Sequence, residues 1–146
     1  MKRITLSFIL SALVMLTSAI ADEASLDRLV EKEQANVDNE AVSVYGGKVG
    51  GLEAVFFLEF TGTGGRVDGY YYYPKRGKEK RYTLKGSNPR DGVLLLEEYT
   101  PGDGGRETLS ANCRLTKSIE RGRIIWAGEM NNTDGRKFKM MFSRKR

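Results

Sequence analysis

From Ala41 onward the chain alternates apolar and polar residues with a period of two, and glycine-rich breaks interrupt the alternation at close spacing. A helix repeats every 3.6 residues, so this pattern cannot give one a continuous apolar face; it suits half-buried strands joined by short turns. The densest part is Gly69-Tyr70-Tyr71-Tyr72-Tyr73, followed by Pro74-Lys75-Arg76-Gly77-Lys78. Tyrosine favours strands, and the Pro-Lys-Arg-Gly-Lys segment supplies the turn after them. Alternation sends Tyr71 and Tyr73 to one face and Tyr70 and Tyr72 to the other. A hairpin pairing Pro74 with Glu79 sets Tyr71 beside Tyr82 and Gly69 beside Leu84. It leaves Tyr70 and Tyr72 outward with Arg81, Thr83 and Lys85, whereas a slip of one residue exchanges the faces.

Eight strands are expected: Ala41–Val49 with a break near Gly46-Gly47, Glu53–Phe60, Arg66–Tyr73, Glu79–Gly86, Val93–Tyr99, Thr108–Leu115, Arg121–Met130, and a last one around Phe138, Met140 and Phe142. Asn131-Asn132-Thr133-Asp134-Gly135 is a strong turn signal before the last of these. Short connections and a single helix-sized pattern predict an all-β, eight-stranded antiparallel up-and-down meander. It either closes into a small barrel or stays partly open, with a two-sheet sandwich as the alternative.

The N-terminal part divides in two. Residues 1–21 have the parts of a secretory signal peptide: Lys2 and Arg3, an apolar run from Leu6 to Leu16, and Ala19-Ile20-Ala21 before Asp22. The run is too short for a membrane-spanning helix, so the expectation is cleavage after Ala21 and a periplasmic or secreted product with no transmembrane segment. Residues 22–40 form an acidic arm, with a short helix expected over Ala24–Val37, capped by Ser25 and striped by Leu26, Leu29 and Val30. This helix is expected to lie across one end of the domain or to hang loosely. Its seven acids against two bases face a body, residues 41–146, with 20 basic and 12 acidic residues. Docking on that body by charge would weaken with salt.

An exported basic domain meets anionic envelope polymers, polysaccharides or acidic proteins more readily than nucleic acid. The single cysteine, Cys113, allows no internal disulfide; in phase with Leu109, Ala111 and Leu115, it reads as a small buried hydrophobe. Histidine is absent, which removes imidazole-based triads and the common zinc sites. No glycine-rich phosphate loop precedes a helix, and no cofactor is expected. Paired carboxylates drawn from Glu59, Glu97, Glu98 and Glu129 remain the one enzymatic resource. Of these Glu98 is the most pointed: if Leu94 and Leu96 face the interior, Glu98 enters it near the rim. There it either needs a cationic or hydroxyl partner or marks the strand end reaching solvent.

The run Tyr45-Gly46-Gly47-Lys48-Val49-Gly50 and the Val67-Asp68-Gly69-Tyr70-Tyr71-Tyr72-Tyr73 strand resemble small exported bacterial β-rich proteins and lipoproteins of unsettled function. Gly92 to Tyr99, the segment around Trp126 and Asp134-Gly135-Arg136-Lys137 fit the same likeness. The resemblance implies an exported β-meander and carries no catalytic residue across; its strand order is also similar to avidin- and lipocalin-style barrels, as an analogy of fold.

These features point to a monomeric, non-enzymatic exported binding protein. Tyr70, Tyr72, Lys75, Arg76, Lys78 and Arg81 would form its contact surface for an envelope polymer or protein, with Glu98 as a ligand-orienting group. The alternatives are an inhibitor or immunity protein against a cell-wall hydrolase such as a lysozyme and, more weakly, a carboxylate-dependent hydrolase.

Overall fold

A computed structural model describes residues 23–62 and 65–146. The expected leader, residues 1–21, lies outside the described residues. Helix α1 covers residues 23–35. Eight antiparallel strands follow: β1 Val42–Val49, β2 Leu52–Phe60, β3 Arg66–Tyr72, β4 Arg81–Arg90, β5 Val93–Pro101, β6 Glu107–Glu120, β7 Arg123–Asn132 and β8 Lys137–Lys145. Each pairs with its neighbour in sequence, and β8 returns to β1, closing a barrel rather than stacking as a sandwich.

The alternation read from the sequence is what the barrel wall uses. Phe56, Leu58, Leu84, Leu94, Leu96, Leu115, Trp126, Met140 and Phe142 point inward and fill the interior. Some outward positions carry opposite charges that face one another: Lys85 pairs across the strands with Glu97, and Glu129 lies between Arg114 and Lys139. Among the described residues, no helix is long and apolar enough to cross a membrane.

Inward glycines let this small barrel close. A Cβ on Gly47, Gly69, Gly86 or Gly128 would lie about 2 Å from a carbonyl oxygen of the neighbouring strand. Glycine at such places marks the tight bends of a barrel wall. The Gly46-Gly47 pair does not break β1, as the sequence suggests it should. Instead it thins the wall on both sides, because a Cβ on Gly46 would meet Val30 of α1 at 2.9 Å, and one on Gly47 would meet the β8 backbone.

Helix α1 neither crosses an end of the barrel nor hangs free. Leu26, Leu29 and Val30 pack on the outer wall with Val44, Val55, Phe57 and Tyr72. Charge complementarity holds it there: Arg123 donates to both carboxylate oxygens of Asp27 (3.1 and 3.0 Å), and Lys78 pairs with the buried Glu33 at 2.6 Å. The helix also completes the seam. Strands β1 and β8 are in register only from Gly46 to Val49, which leaves the first half of β1 without a strand on that side. Gln34 takes the missing partner's place: its side-chain amide donates to Val42 O (3.1 Å) and accepts from Val44 N (2.8 Å).

Some boundaries differ from expectation. The helix stops at 35, β4 starts two residues later and runs four residues further, and β6 extends to Glu120. Leu109 is 37 % exposed rather than in phase with the core. The cause is a bulge: Glu98 pairs with Ala111 but Tyr99 with Leu109, so Ser110 is an extra residue that reverses the phase. Ala111, Cys113 and Leu115 keep their inward places, and Cys113 is buried.

Candidate functional site

At one end of the barrel the β1–β2, β3–β4, β5–β6 and β7–β8 turns surround a cup of about 490 Å³. Its walls carry Tyr71, Tyr73, Tyr82, Met130 and Phe138, and its polar groups include Glu98, Ser110, Asn132, Arg76 and Arg136. A volume of this order suits a small molecule (about 300–1,000 Å³).

Glu98 is brought here by simple alternation after Leu94 and Leu96, and it is 5 % exposed. It does not mark a strand end emerging into solvent. Two hydroxyls hold it: Tyr71 donates a short hydrogen bond to Oε2, and Ser110 Oγ lies 2.7 Å from Oε1 and 3.1 Å from the Glu98 carbonyl oxygen. Ser110 reaches it because the bulge re-aims its side chain, the common use of a bulge beside a site. Among the described residues, no lysine or arginine forms an ion pair with Glu98. Burial, followed by the adjacent Glu98 carboxylate, pushes the Tyr71 phenol far above the usual tyrosine range. The same two causes, in the same order, push the Cys113 thiol up to about 12. Cys113 is therefore kept as an unreactive thiol.

Three tyrosines shape the wall beside this carboxylate. Tyr71 and Tyr82 are stacked at 5.0 Å between ring centroids, and Tyr73 stands edge-on to both, at 5.4 and 5.7 Å. The pairing of Tyr71 with Tyr82, and of Gly69 with Leu84, is the register expected from the Pro74 turn. At the rim the Arg76 guanidinium sits 4.9 Å from the Tyr73 ring centre and that of Arg136 5.5 Å from Phe138. Asp134 engages Arg136 at 2.8 Å. Asn132 Oδ1 is buried with no hydrogen-bond partner.

The structure splits the residues singled out from the sequence. Arg76 and Glu98 meet at the cup. Tyr70, Tyr72, Lys78 and Arg81 lie on the outer wall, where α1 and their own contacts occupy most of what they offer. Tyr72 points outward as expected but is only 2 % exposed, because α1 covers it. Burial, then the nearby Glu33 carboxylate, raises its phenol to about 12. Lys78 is engaged with Glu33. Tyr70 stacks on Phe57 at 4.7 Å, and Arg81 covers its ring at 4.4 Å, the cation–π contact expected of this strand. Lys75 is exposed on the short 3₁₀ turn Pro74–Arg76. The continuous open aromatic face is thus corrected to a half-covered one.

The other acids weighed for a paired-carboxylate reaction do not join Glu98. Glu59, Glu97 and Glu129 occupy outward positions of their strands. What the cup offers is a buried carboxyl group, an unpartnered acceptor and an aromatic wall, with two arginines at its rim. Ser110 and Asn132 were missed in the sequence; Asn132 shares the inward phase of Trp126, Gly128 and Met130 and was findable, whereas the bulge was not. No protein-family model matches the chain, and neither does any curated protein or solved structure.

Proposed function

We propose that the protein is an exported, non-enzymatic binding protein that takes a small molecule, or the projecting end of a larger envelope component, into the cup at the barrel mouth. The observation that carries this reading is the cup itself: one end of the barrel keeps about 490 Å³ open beside a buried carboxylate and three tyrosines. A carboxylate buried without a cation costs stability, so its presence there suits a binding role better than a structural one. Two of the residues expected to make contact, Arg76 and Glu98, line this space. The export part rests on the leader pattern of residues 1–21.

Thr100 lines the cup without bonding to Glu98, Ser110 or Tyr71, so Thr100→Trp blocks the space and leaves the polar floor intact. A thermal-shift screen of small polar molecules is expected to raise the melting temperature of the wild-type barrel for at least one compound. That rise should vanish in Thr100→Trp. Hits that stabilise both proteins equally, or none for the wild type, would remove the cup from consideration.

A further inference from the structure

The chemistry of the cup narrows what it accepts. Its deepest ionic group, Glu98, has two oxygens each taking one hydroxyl donor and no cationic partner among the described residues. Carboxylate oxygens hold more lone pairs than those two bonds use. Asn132 Oδ1, on the next inward position two strands away, is a second acceptor without a donor. Both unfilled demands are for N–H or O–H donors, and one of them is for positive charge.

The aromatic wall asks for the same thing. Tyr71 is stacked between Phe56 and Tyr82, and Tyr73 stands edge-on to both Tyr71 and Tyr82, so Tyr73 and Tyr82 supply the aromatic surface of the cup and Tyr71 supplies the phenol that holds Glu98. Aromatic surface beside a carboxylate is a favourable environment for an organic ammonium, which keeps cation–π attraction and a counter-ion while losing water. At the rim the signs reverse. Arg136 is neutralised by Asp134, while Arg76 is exposed and held over Tyr73 with no carboxylate partner among the described residues. A carboxyl group without a cationic partner thus lies deep, and a guanidinium without a carboxylate partner, Arg76, lines the opening.

We infer that the cup binds a small zwitterion, its ammonium seated among Tyr71, Tyr73 and Tyr82 against Glu98 and its anionic group directed outward to Arg76. This inference rests on the cup being the binding site and names the chemistry it selects. Anionic molecules are repelled at the floor by Glu98. Neutral molecules of the same shape leave the carboxylate unpaired and gain little.

The test is a calorimetric titration with four probes of one shape: 4-aminobutyrate, n-butylammonium, butyrate and n-butanol. The expected order is 4-aminobutyrate tightest, n-butylammonium next, and the other two without measurable binding. Glu98→Gln keeps the size of the side chain and an acceptor for Tyr71 or Ser110, so it should fold. It is expected to weaken both ammonium probes by about tenfold or more. Arg76→Gln is expected to bring 4-aminobutyrate down to the level of n-butylammonium and leave the latter unchanged. Comparable binding of butyrate or n-butanol overturns the zwitterion assignment, as does undiminished ammonium binding by Glu98→Gln. Absence of any response to 4-aminobutyrate overturns it too. A separate arm keeps the two readings apart: ammonium binding that persists in Thr100→Trp refutes the cup as the site, whatever the charge preference.

Discussion

Removing the Gln34 side chain is the cleanest probe of how the barrel is closed. Gln34 lies near the end of α1 and bonds two backbone groups of β1 that have no strand beside them. Gln34→Ala leaves Val42 O and Val44 N without those bonds, at a residue, Val44, that is 1 % exposed. An intramolecular hydrogen bond is worth about 1 kcal/mol net, and a buried group left unsatisfied costs about 1–3 kcal/mol. If water recovers the carbonyl more easily than the amide, the sum is about 2–3 kcal/mol. A unit of about 120 residues gains roughly 250 cal/mol/K of entropy on unfolding at its midpoint, so the melting temperature should fall by about 8–12 °C. Gln34→Glu sharpens the result: it keeps the acceptor for Val44 N but sets a carboxylate against Val42 O, and is expected to cost at least as much. Thermal melts give the first number, and hydrogen exchange at the Val44 amide the second, since its protection should drop towards that of a frayed edge. A Gln34→Ala protein within about 0.5 kcal/mol of wild type, with Val44 still protected, would refute the claim that the helix acts as a missing strand.

Alkaline pH should unfold the protein through groups that the fold keeps neutral. Cys113 is raised from near 9 to about 12 and Tyr72 from near 10 to about 12, both chiefly by burial, and Tyr45, Tyr71 and Tyr73 are raised as well. Their contribution to stability is complete below the unfolded-state values, near 9 for the thiol and near 10 for the phenols, and is lost as pH climbs from there towards the folded-state values, by at most about 1.4 kcal/mol per pH unit for each group. Denaturant midpoints should hold to pH 9, decline, and steepen past pH 10, with Cys113→Ala removing only the first part; normal ionisation of all seven tyrosines in a still-folded barrel contradicts this. Gly128→Ala should be severe, because a Cβ there would lie 1.9 Å from Arg114 O and force β6 and β7 apart. A loss of about 3 kcal/mol or more in urea unfolding is expected, and a loss under about 1 kcal/mol would mean that the wall is looser than its geometry implies.

The pairing of Tyr71 with Tyr82 was legible because a local turn, Pro74 to Gly77, sets the register of a short hairpin. The inward course of Leu94, Leu96 and Glu98 was legible because alternation along one strand needs no knowledge of the rest. Neither signal says what will lie against the other face of the sheet. That is decided over long separations: Asp27 meets Arg123 across 96 positions, and Glu33 meets Lys78 across 45. An acidic arm and a basic body announce that they will attract, but not where; the site of docking depends on Gly46, whose missing side chain lets Val30 approach, and on the unpaired half of β1. The tyrosine strand therefore misleads when read alone, since an exposed aromatic stripe and one waiting for a helix have the same spelling. The bulge at Ser110 escapes reading for a related reason. One extra residue in a strand changes no composition and no turn, yet it turns Leu109 outward and brings a hydroxyl to Glu98. The depth of Glu98 followed from partners 12 and 27 residues away, so the same carboxylate that reads as a frayed strand end becomes the floor of a cup only when the barrel closes around it.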